Sequence, residues 1–293
     1  MATDTVGIVG LGIMGGALAR NLMADGLAVR GYDIDATRFG TLKPGLVATS
    51  SAAEAAQGAE LVLTSLPSIK ALDETVASLL AAKPRGLVLA ELSTLPIDAK
   101  EKARDALAAG GITLLDCPLS GTGAQAVTRD LAVYASGEHE AYDKAEPIFR
   151  RFARTSHYLG AFGNGSKMKF VANLLVAVHN VASAEAMVLG IKAGLDPKTI
   201  VKVIASGVGN SRVFELRAPL MAANEYQPAT MKIDIWKKDM QVIGDFLRAL
   251  GVDAPTFTAT EAVYEAARSA GLGGEDTAAV CRVLEQRAGV KRE

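Results

Sequence analysis

The sequence predicts an α/β domain built on a doubly wound parallel sheet, followed by an all-α domain. A length of 293 residues is sufficient for two hydrophobic cores. Strand-like apolar runs alternate with helical stretches through the first half, which is typical of a parallel sheet covered by helices. After His157 such runs become rare. We therefore predict a first domain over residues 1–163 and a helical domain over residues 164–293.

Local patterns predict the individual elements. Ser51 with Glu54 forms a potential capping box, and Pro96 stands at the head of a helix that runs toward Ala109. Glycines and prolines divide the second half into about five or six helices. The predicted strands are Val6–Val9, Val29–Tyr32, Leu46–Ala48, Leu61–Ser65, Leu87–Glu91, Thr113–Cys117, Leu131–Ala135 and Ser156–Leu159.

Composition argues against several kinds of partner. The formal net charge is -1 and the basic residues are interspersed with acids, so the sequence predicts neither nucleic-acid nor membrane binding. The N-terminal segment lacks signal-peptide features, which predicts a cytoplasmic protein. The cysteines and histidines lack metal-type spacing, so no metal site is expected. Cys117, beside an apolar strand, is expected to be a core residue rather than a nucleophile.

The longest apolar segment, Phe170–Leu189, is predicted to be a buried helix. It contains Asn173, His179, Asn180 and Glu185, which would be costly in hydrocarbon. This segment and the alanine-rich helices after it offer more apolar surface than one small domain can cover. We therefore expect a homodimer or homotetramer.

A glycine motif follows the first predicted strand. The segment GLGIMGGALARNL gives Gly10, Gly12 and Gly15 the G-x-G-x-x-G spacing between a strand and an amphipathic helix. Gly10 permits a tight turn, Gly12 lets the backbone approach a pyrophosphate, and Gly15 lets the helix pack closely on its strand. The helix N-terminus offers N–H groups to the phosphates. This pattern indicates a dinucleotide site in a Rossmann-type domain.

Asp33, at the end of the second predicted strand, indicates which dinucleotide is bound. A carboxylate there can accept hydrogen bonds from the adenosine ribose and would repel a 2′-phosphate, which favours NAD over NADP. Arg30 and Arg38 lie close enough in sequence to leave NADP open. Asp35 is the competing acid, but we expect it to cap the short helix that follows.

Two lysines at the start of the second half compete as a functional amine. Lys169 and Asn173 are four residues apart and share a helix face, which Asn180 extends, whereas Val171 stands four residues beyond Lys167. A polar stripe on an apolar helix is costly unless it faces a cavity or a partner. The spacing favours Lys169, with a solvated helix face as the alternative.

Six ordered motifs resemble those of the β-hydroxyacid dehydrogenases, a family that includes 3-hydroxyisobutyrate dehydrogenase, tartronate semialdehyde (2-hydroxy-3-oxopropionate) reductase and L-threonate dehydrogenase. The resemblance covers nearly the whole chain. The motifs are GLGIMGG, the turns SLP and ELST, the segment DCPLSGTGAQA, the lysine motif GNGSKMKFVAN and the late WKKDM. The resemblance implies an NAD(P)-dependent oxidoreductase that acts on a small carboxylate substrate.

The resemblance also implies roles for individual residues. Lys169 is the expected general acid/base, with Asn173 orienting the substrate and with Ser120 and Gly121 binding its carboxylate. Lys238 is expected near the cofactor, with Asp239 capping the helix after it. The expected cofactor contacts are Gly10, Gly12, Ile13, Met14, Gly15, Asp33, Leu66, Pro67 and Thr94.

Two departures from the family pattern concern the substrate side. Thr122 replaces the usual second glycine after Ser-Gly, and charged residues interrupt the apolar stretch before the late lysine. They bear on which acid is the substrate more than on the reaction type. Arg212 and Arg217 are potential anion contacts, although we expect each to be a solvated or interface residue.

In the expected oxidative reaction, a hydride leaves the carbinol carbon for the nicotinamide while Lys169 accepts the hydroxyl proton. Two rival functions remain open at this point. An imine reductase typically lacks this lysine, and a catalytically inactive cofactor-binding scaffold typically loses it and gains reader or DNA-binding segments. Retention of Lys169 and Asn173 argues against both.

Overall fold

A computed structural model of the chain describes residues 5–292. Residues 1–4, where the segment considered for a signal peptide begins, lie outside the described residues. The chain forms two compact units, Met1–Lys169 and Phe170–Glu293. They divide inside a long helix, whereas the predicted boundary lies ahead of that helix.

The first unit is built on a parallel six-stranded sheet with strand order β3-β2-β1-β4-β5-β6. The strand order reverses between β1 and β4, and all five neighbouring pairs are parallel, which confirms the predicted Rossmann-type sheet. The strands are β1 Thr5–Val9, β2 Ala28–Tyr32, β3 Leu46–Ala48, β4 Leu61–Thr64, β5 Val88–Glu91 and β6 Thr113–Asp116.

A second, three-stranded sheet in this unit was not predicted. It contains β7 Leu119–Ser120, β8 Ala132–Ala135 and β9 Thr155–Tyr158, with β7 antiparallel and β9 parallel to β8. The sequence places β8 and β9 in the single parallel sheet, and this is wrong. Strand pairing depends on tertiary contacts, and β7 is too short for a periodic pattern.

Helices cover both faces of the main sheet and enclose two apolar clusters. Pro96 precedes α4, as predicted. Ser51 caps α2 by accepting from the N–H of Glu54, but the Glu54 carboxylate accepts from the N–H of Ser50 instead of Ser51. The capping box is therefore only half formed. The helices are α1 Ile13–Ala24, α2 Ala52–Ala55, α3 Ile69–Ala82, α4 Ile97–Ala109, α5 Gly123–Val127 and α6 His139–Phe149.

The second unit is helical, as predicted. Its longest helix, α7, begins in the first unit and runs over Asn164–Lys192. Within the second unit, Asn180 of α7 donates to Tyr264 Oη at 2.8 Å and to the carbonyl of Thr277 at 2.9 Å. Asn180 therefore holds helices together. The other helices are α8 Pro197–Ala205, α9 Arg212–Ala223, α10 Ile233–Leu250, α11 Pro255–Ser269 and α12 Val280–Arg287, with a 3-10 turn at Thr277–Ala279.

Among residues 5–292, α7 is the one helix long and apolar enough to cross a membrane by length and composition. Such a helix is weak evidence for a membrane span, because the core helix of a soluble protein passes the same test. The helix carries the buried polar residues Asn173 and Asn180.

Candidate active site

The glycine loop lies between the carboxyl end of β1 and the start of α1. Gly10 has φ +90°, and a Cβ there would lie 2.2 Å from the carbonyl oxygen of Ser65. A Cβ on Gly15 would lie 1.9 Å from the Gly10 oxygen. Nothing lies within 4 Å of a Cβ placed on Gly12. Two glycines are thus required by close packing, and the third leaves open space at the loop.

The N-terminus of α1 has the groups that a dinucleotide phosphate needs. Gly12 is its N-cap, Ile13 and Met14 follow, and within the described chain no side chain caps it. The first N–H groups of a helix lack partners inside it and attract anions. The open space at Gly12 and the uncapped helix together fit a pyrophosphate.

Asp33 is fixed beside this loop. Its Oδ2 accepts from the N–H of Leu11 at 2.6 Å, and its Oδ1 accepts from the N–H of Asp35 at 2.8 Å. Each carboxylate oxygen retains a second lone pair, so the group can still accept from a ribose hydroxyl.

The three neighbours of Asp33 that bear on cofactor choice have other partners. Asp35 caps a 3-10 turn by accepting from the N–H of Thr37 at 3.0 Å, as predicted. Arg38 lies 3.2 Å from Asp35. Arg30 Nε donates to the carbonyl of Glu54 at 3.0 Å. Both arginines that left NADP open are therefore engaged in ion pairs or hydrogen bonds.

The turns after β4 and β5 are joined to each other. The N–H of Leu66 donates to Ser93 Oγ at 2.7 Å, and the N–H of Ser93 donates to Glu91 Oε1 at 2.9 Å. Leu66 is buried, Pro67 is exposed and Thr94 is half-buried. These turns lie beside Gly10 at the carboxyl edge of the sheet, where the strand order reverses.

The segment after β6 forms β7 and then α5. Gly121 has φ +134°, and a Cβ there would lie 2.5 Å from Leu131 Cδ2, so glycine is required. Thr122, with φ -106°, is the N-cap of α5 and forms a capping box with Gln125. The departure from glycine at Thr122 is thus accommodated without strain. Ser120 and Gly121 are half-buried at this turn.

The first turn of α7 is anchored to the end of β6. The N–H of Ser166 donates to Asp116 Oδ2 at 2.7 Å and its hydroxyl donates to Asp116 Oδ1 at 2.7 Å. The N–H of Gly165 donates to Ser136 Oγ at 2.9 Å. A Cβ on Gly165 would lie 2.2 Å from the Tyr134 carbonyl oxygen.

The two competing lysines differ sharply in exposure. Lys169 is buried, with 7% of its surface exposed, and Asn173 on the same face of α7 is 3% exposed. Lys167 is exposed and donates to Asn164 Oδ1 at 3.2 Å. Burial thus distinguishes Lys169, on the same helix face as Asn173, from the solvated Lys167.

Lys100, Glu91 and Asp116 form a buried charge cluster that the sequence motifs do not predict. Lys100 Nζ lies 2.6 Å from Glu91 Oε2 and 2.8 Å from Asp116 Oδ1, and all three side chains are fully buried. Burial alone would lower the pKa of Lys100, but Asp116 and Glu91 raise it above its ordinary value. The sequence signal for the burial of Lys100 is its spacing from Ala103 and Leu107, because the three share the buried face of α4.

In the second unit, the late lysine motif lies inside a helix. Lys238 and Asp239 belong to α10. Asp239 was predicted to cap a following helix, but it lies inside α10 and caps none. Instead, Asp239 Oδ2 accepts from Asn173 Nδ2 at 3.1 Å, and Asp239 Oδ1 lies 3.2 Å from Lys238 Nζ. The prediction for Asp239 is wrong because α10 begins earlier, at Ile233.

Two arginines have different environments. Arg217 was expected to be solvated or at an interface, but it is buried and bonds both oxygens of Asp276, at 2.8 and 2.9 Å. A buried arginine requires such a partner. Arg212 pairs with Glu215 at 3.0 Å on the exposed surface.

Other candidate chemistry is not supported by the geometry. Cys117 is fully buried, and burial followed by the nearby Asp116 charge raises the pKa of its thiol well above the usual range. It is therefore a core residue, as predicted. Within residues 5–292, no group of three or more histidine, cysteine or acidic side chains is arranged to hold a metal ion.

Family models match both halves of the chain. Residues 5–160 match the NAD binding domain of 6-phosphogluconate dehydrogenase, and residues 163–284 match the NAD-binding domain of NADP-dependent 3-hydroxyisobutyrate dehydrogenase. L-threonate dehydrogenase of Cupriavidus necator is 34% identical over 95% of each chain. 2-(Hydroxymethyl)glutarate dehydrogenase of Eubacterium barkeri is 30% identical over 97% of this chain and 96% of its own.

Solved structures support the same grouping. A 3-hydroxyisobutyrate dehydrogenase from Salmonella typhimurium superposes with a TM-score of 0.86 and 28% identity, covering 96% of this chain and 99% of its own. An imine reductase from Pseudomonas sp. covers the same shares of the two chains with a TM-score of 0.67 and 20% identity. The likeness to the imine reductase shows the fold alone.

Proposed function

The chain belongs to the β-hydroxyacid dehydrogenase family and is an NAD(P)-dependent dehydrogenase that acts on hydroxyacids, and from this premise we propose that Lys169 is its general acid/base. The substrate class proposed is a small β-hydroxy acid or its semialdehyde or keto form, such as 3-hydroxyisobutyrate or tartronate semialdehyde. The named relatives act on L-threonate and 2-(hydroxymethyl)glutarate, which are hydroxy acids of this kind.

Each group has a role in this proposal. Ser120 and Gly121 bind the substrate carboxylate through hydroxyl and backbone N–H. Asn173, oriented by Asp239 at 3.1 Å, directs the substrate hydroxyl. Lys169 accepts the hydroxyl proton on oxidation and returns it to the carbonyl oxygen on reduction.

The cofactor would be held mainly by the first unit. The glycine loop with Ile13 and Met14 would bind the pyrophosphate, and Asp33 the adenosine ribose. Leu66, Pro67 and Thr94 would line the nicotinamide half, with Lys238 contributing from α10. The nicotinamide, when bound, supplies the hydride acceptor or donor.

The observation that carries the assignment is the burial of Lys169 on the anchored end of α7. Lys167, two residues earlier, is exposed and bonded within its own turn. A lysine that acts as general acid/base is expected to be shielded from bulk water, and the burial of Lys169 supports this assignment.

Turnover of a substrate panel tests the function. Purified protein is assayed with small hydroxy acids and NAD⁺ or NADP⁺ in the oxidative direction, and with semialdehydes or cyclic imines and NADH or NADPH in the reductive direction. We expect kcat/KM to be highest for an acid that carries its hydroxyl on the β carbon. Activity confined to cyclic imines would contradict the proposal.

Paired lysine variants test the mechanism. Lys169→Ala is expected to reduce kcat by about 10²–10⁴-fold, the usual range for a positioned general acid/base. Cofactor affinity should change little, because the phosphate and ribose contacts are proposed to lie on the glycine loop and Asp33. Lys167→Ala is the matched control and should retain near-normal turnover; the reverse result would move the role to Lys167.

We also propose that NAD is preferred over NADP. Asp33 is held beside the glycine loop by two backbone N–H groups. Arg30 donates to the carbonyl of Glu54 and Arg38 pairs with Asp35, so a 2′-phosphate would have to compete with partners that both arginines already have. The Asp33 carboxylate itself repels that phosphate.

The assembly proposed is a cytoplasmic homodimer or homotetramer without nucleic-acid or membrane partners. Support comes from the near-neutral net charge and from an exposed apolar face on α7. That face carries Met168, Val171, Leu175 and Leu189, of which Leu189 is 72% exposed. A second copy of the chain would bury such a face.

A further inference from the structure

The Lys100 ammonium contacts three segments of the first unit at once. Besides Glu91 and Asp116, it donates to the carbonyl oxygen of Ser93 at 2.7 Å. Two of its N–H groups donate to Asp116 Oδ1 and the Ser93 carbonyl, and Glu91 Oε2 lies 2.6 Å away as an ion-pair partner. The positions of β5, the turn after it and the end of β6 are therefore fixed relative to α4.

Each of these segments leads directly to a residue of the proposed site. Ser93 precedes Thr94, which would line the nicotinamide. Asp116 begins the segment that contains Ser120. Both oxygens of Asp116 also accept from Ser166, and Lys169 stands three residues further along the same helix.

Fold stability alone does not account for a charged group at this position. Position 100 lies on an apolar helix face with Ala103 and Leu107, where an aliphatic residue would fit the pattern. Replacing a buried ion cluster by well-packed apolar residues is often neutral or stabilising. What charged groups add is directional geometry, because each hydrogen bond fixes both a distance and an angle.

We propose that Lys100, Glu91 and Asp116 are positioning residues that set the first turn of α7, and with it Lys169, against the nicotinamide and substrate turns. The proposal rests on the assignment of Lys169 under the proposed function. The dipole of α7 supports the arrangement, since its N-terminus meets the Asp116 carboxylate.

Variants of the anchor test this role. Ser166→Ala removes one hydrogen bond to Asp116 and leaves every charge of the cluster in place. Asp116→Asn retains an acceptor for the Ser166 N–H, whereas Asp116→Ala retains none. We expect kcat to fall from wild type to Asp116→Asn and again to Asp116→Ala. The expected loss is about 10- to 100-fold, because the catalytic geometry is displaced. The KM for the cofactor should stay within about 2-fold, because the adenosine half is bound elsewhere.

A destabilised control separates positioning from folding. Leu79→Ala truncates a fully buried residue of α3 that makes no part of the cluster, and should lower Tm while leaving kcat unchanged. Amide hydrogen exchange over residues 164–170 should accelerate in Ser166→Ala and not in Leu79→Ala. Lys100→Met, which leaves two buried carboxylates unpaired, is expected to lose both stability and turnover. If this variant does not fold, Ser166→Ala still tests the positioning role.

Two outcomes distinguish failure of the Lys169 assignment from failure of the positioning role. Retained turnover in Lys169→Ala would overturn the assignment of Lys169 as general acid/base, on which the positioning role rests. Loss of turnover in Lys169→Ala with unchanged kcat and unchanged exchange in Ser166→Ala and Asp116→Asn would overturn the positioning role alone.

Discussion

Single atoms decide several properties of the candidate site. Gly121 and Gly165 lack a Cβ where one would collide with neighbouring groups, and both adjoin segments that carry proposed substrate or catalytic residues. Asp33 has its two oxygens held by two backbone donors. Substitutions at these residues can each be compared with a control substitution at an unconstrained position.

Gly165→Ala should impair both stability and turnover. The new Cβ would lie 2.2 Å from the Tyr134 carbonyl oxygen and 2.7 Å from that of Asp116, so backbone must move. Overpacking of this kind costs about 1–3 kcal/mol, and the shift would displace the first turn of α7. Urea unfolding and kcat measure the two effects. Gly209→Ala, where nothing lies within 4 Å of the new Cβ, should leave both unchanged.

Asp33→Ala should narrow the preference for NAD over NADP. Removal of the carboxylate relieves repulsion of a 2′-phosphate and also removes a ribose acceptor. The ratio of kcat/KM values for the two cofactors measures the change, and Asp143→Ala, which removes an exposed carboxylate of α6, is the control. A wild-type enzyme that clearly prefers NADP would contradict the interpretation of Asp33.

At the scale of elements, the sequence predicts the main sheet well because each strand is a local apolar run. Every predicted strand lies within one residue of an observed strand at each end. The assignment of β8 and β9 to a second sheet was out of reach, since pairing partners are set by tertiary packing. The two-residue β7 gives no periodic signal.

Candidate site residues can be predicted from the sequence where they belong to a local motif. They cannot where their role depends on contacts with residues far away in the sequence. The glycine loop and Asp33 follow directly from spacing, and the helix face distinguishes Lys169 from Lys167. The role of Asp239 as the acceptor for Asn173 depends on two helices far apart in sequence. Lys100 gives a weak sequence signal, because a lysine is ordinarily a surface residue, although this one lies on the apolar face of α4.

For the whole molecule, alkaline pH should be destabilising in a defined window. Burial, followed by the nearby Glu285, raises the pKa of Cys281 to about 12, and Cys117 is shifted in the same direction. Both thiols ionise in the unfolded chain from about pH 8.5. The folded state then binds more protons than the unfolded state, so stability falls as pH rises.

The thiol contribution to this effect is measurable by difference. Between pH 7 and pH 10, each thiol should cost about 1–2 kcal/mol of unfolding free energy. Urea denaturation at the two pH values should show a smaller loss in the double variant Cys117→Ala/Cys281→Ala. An identical loss in variant and wild type would assign the alkaline effect to other groups, such as Tyr226 and Tyr264, since burial raises the pKa of both.

The assembly prediction concerns the exposed face of α7. Charges introduced at Leu175 and Leu189 should dissociate the oligomer, because a carboxylate buried in an apolar interface is unpaired. Sedimentation at micromolar concentration compares Leu175→Glu/Leu189→Glu with wild type. Val208→Glu, a fully exposed site off this helix, is the control. A monomeric wild-type protein would refute the prediction.

The division of α7 between the two units limits how the gene can be cut and recombined. A fragment that ended at residue 163 would contain every strand of the sheets but would leave Asp116 without Ser166. Fragments and chimeras should therefore be joined after residue 169, so that the incoming half contributes Asn173, Lys238 and Asp239 while the anchored turn keeps its own partners.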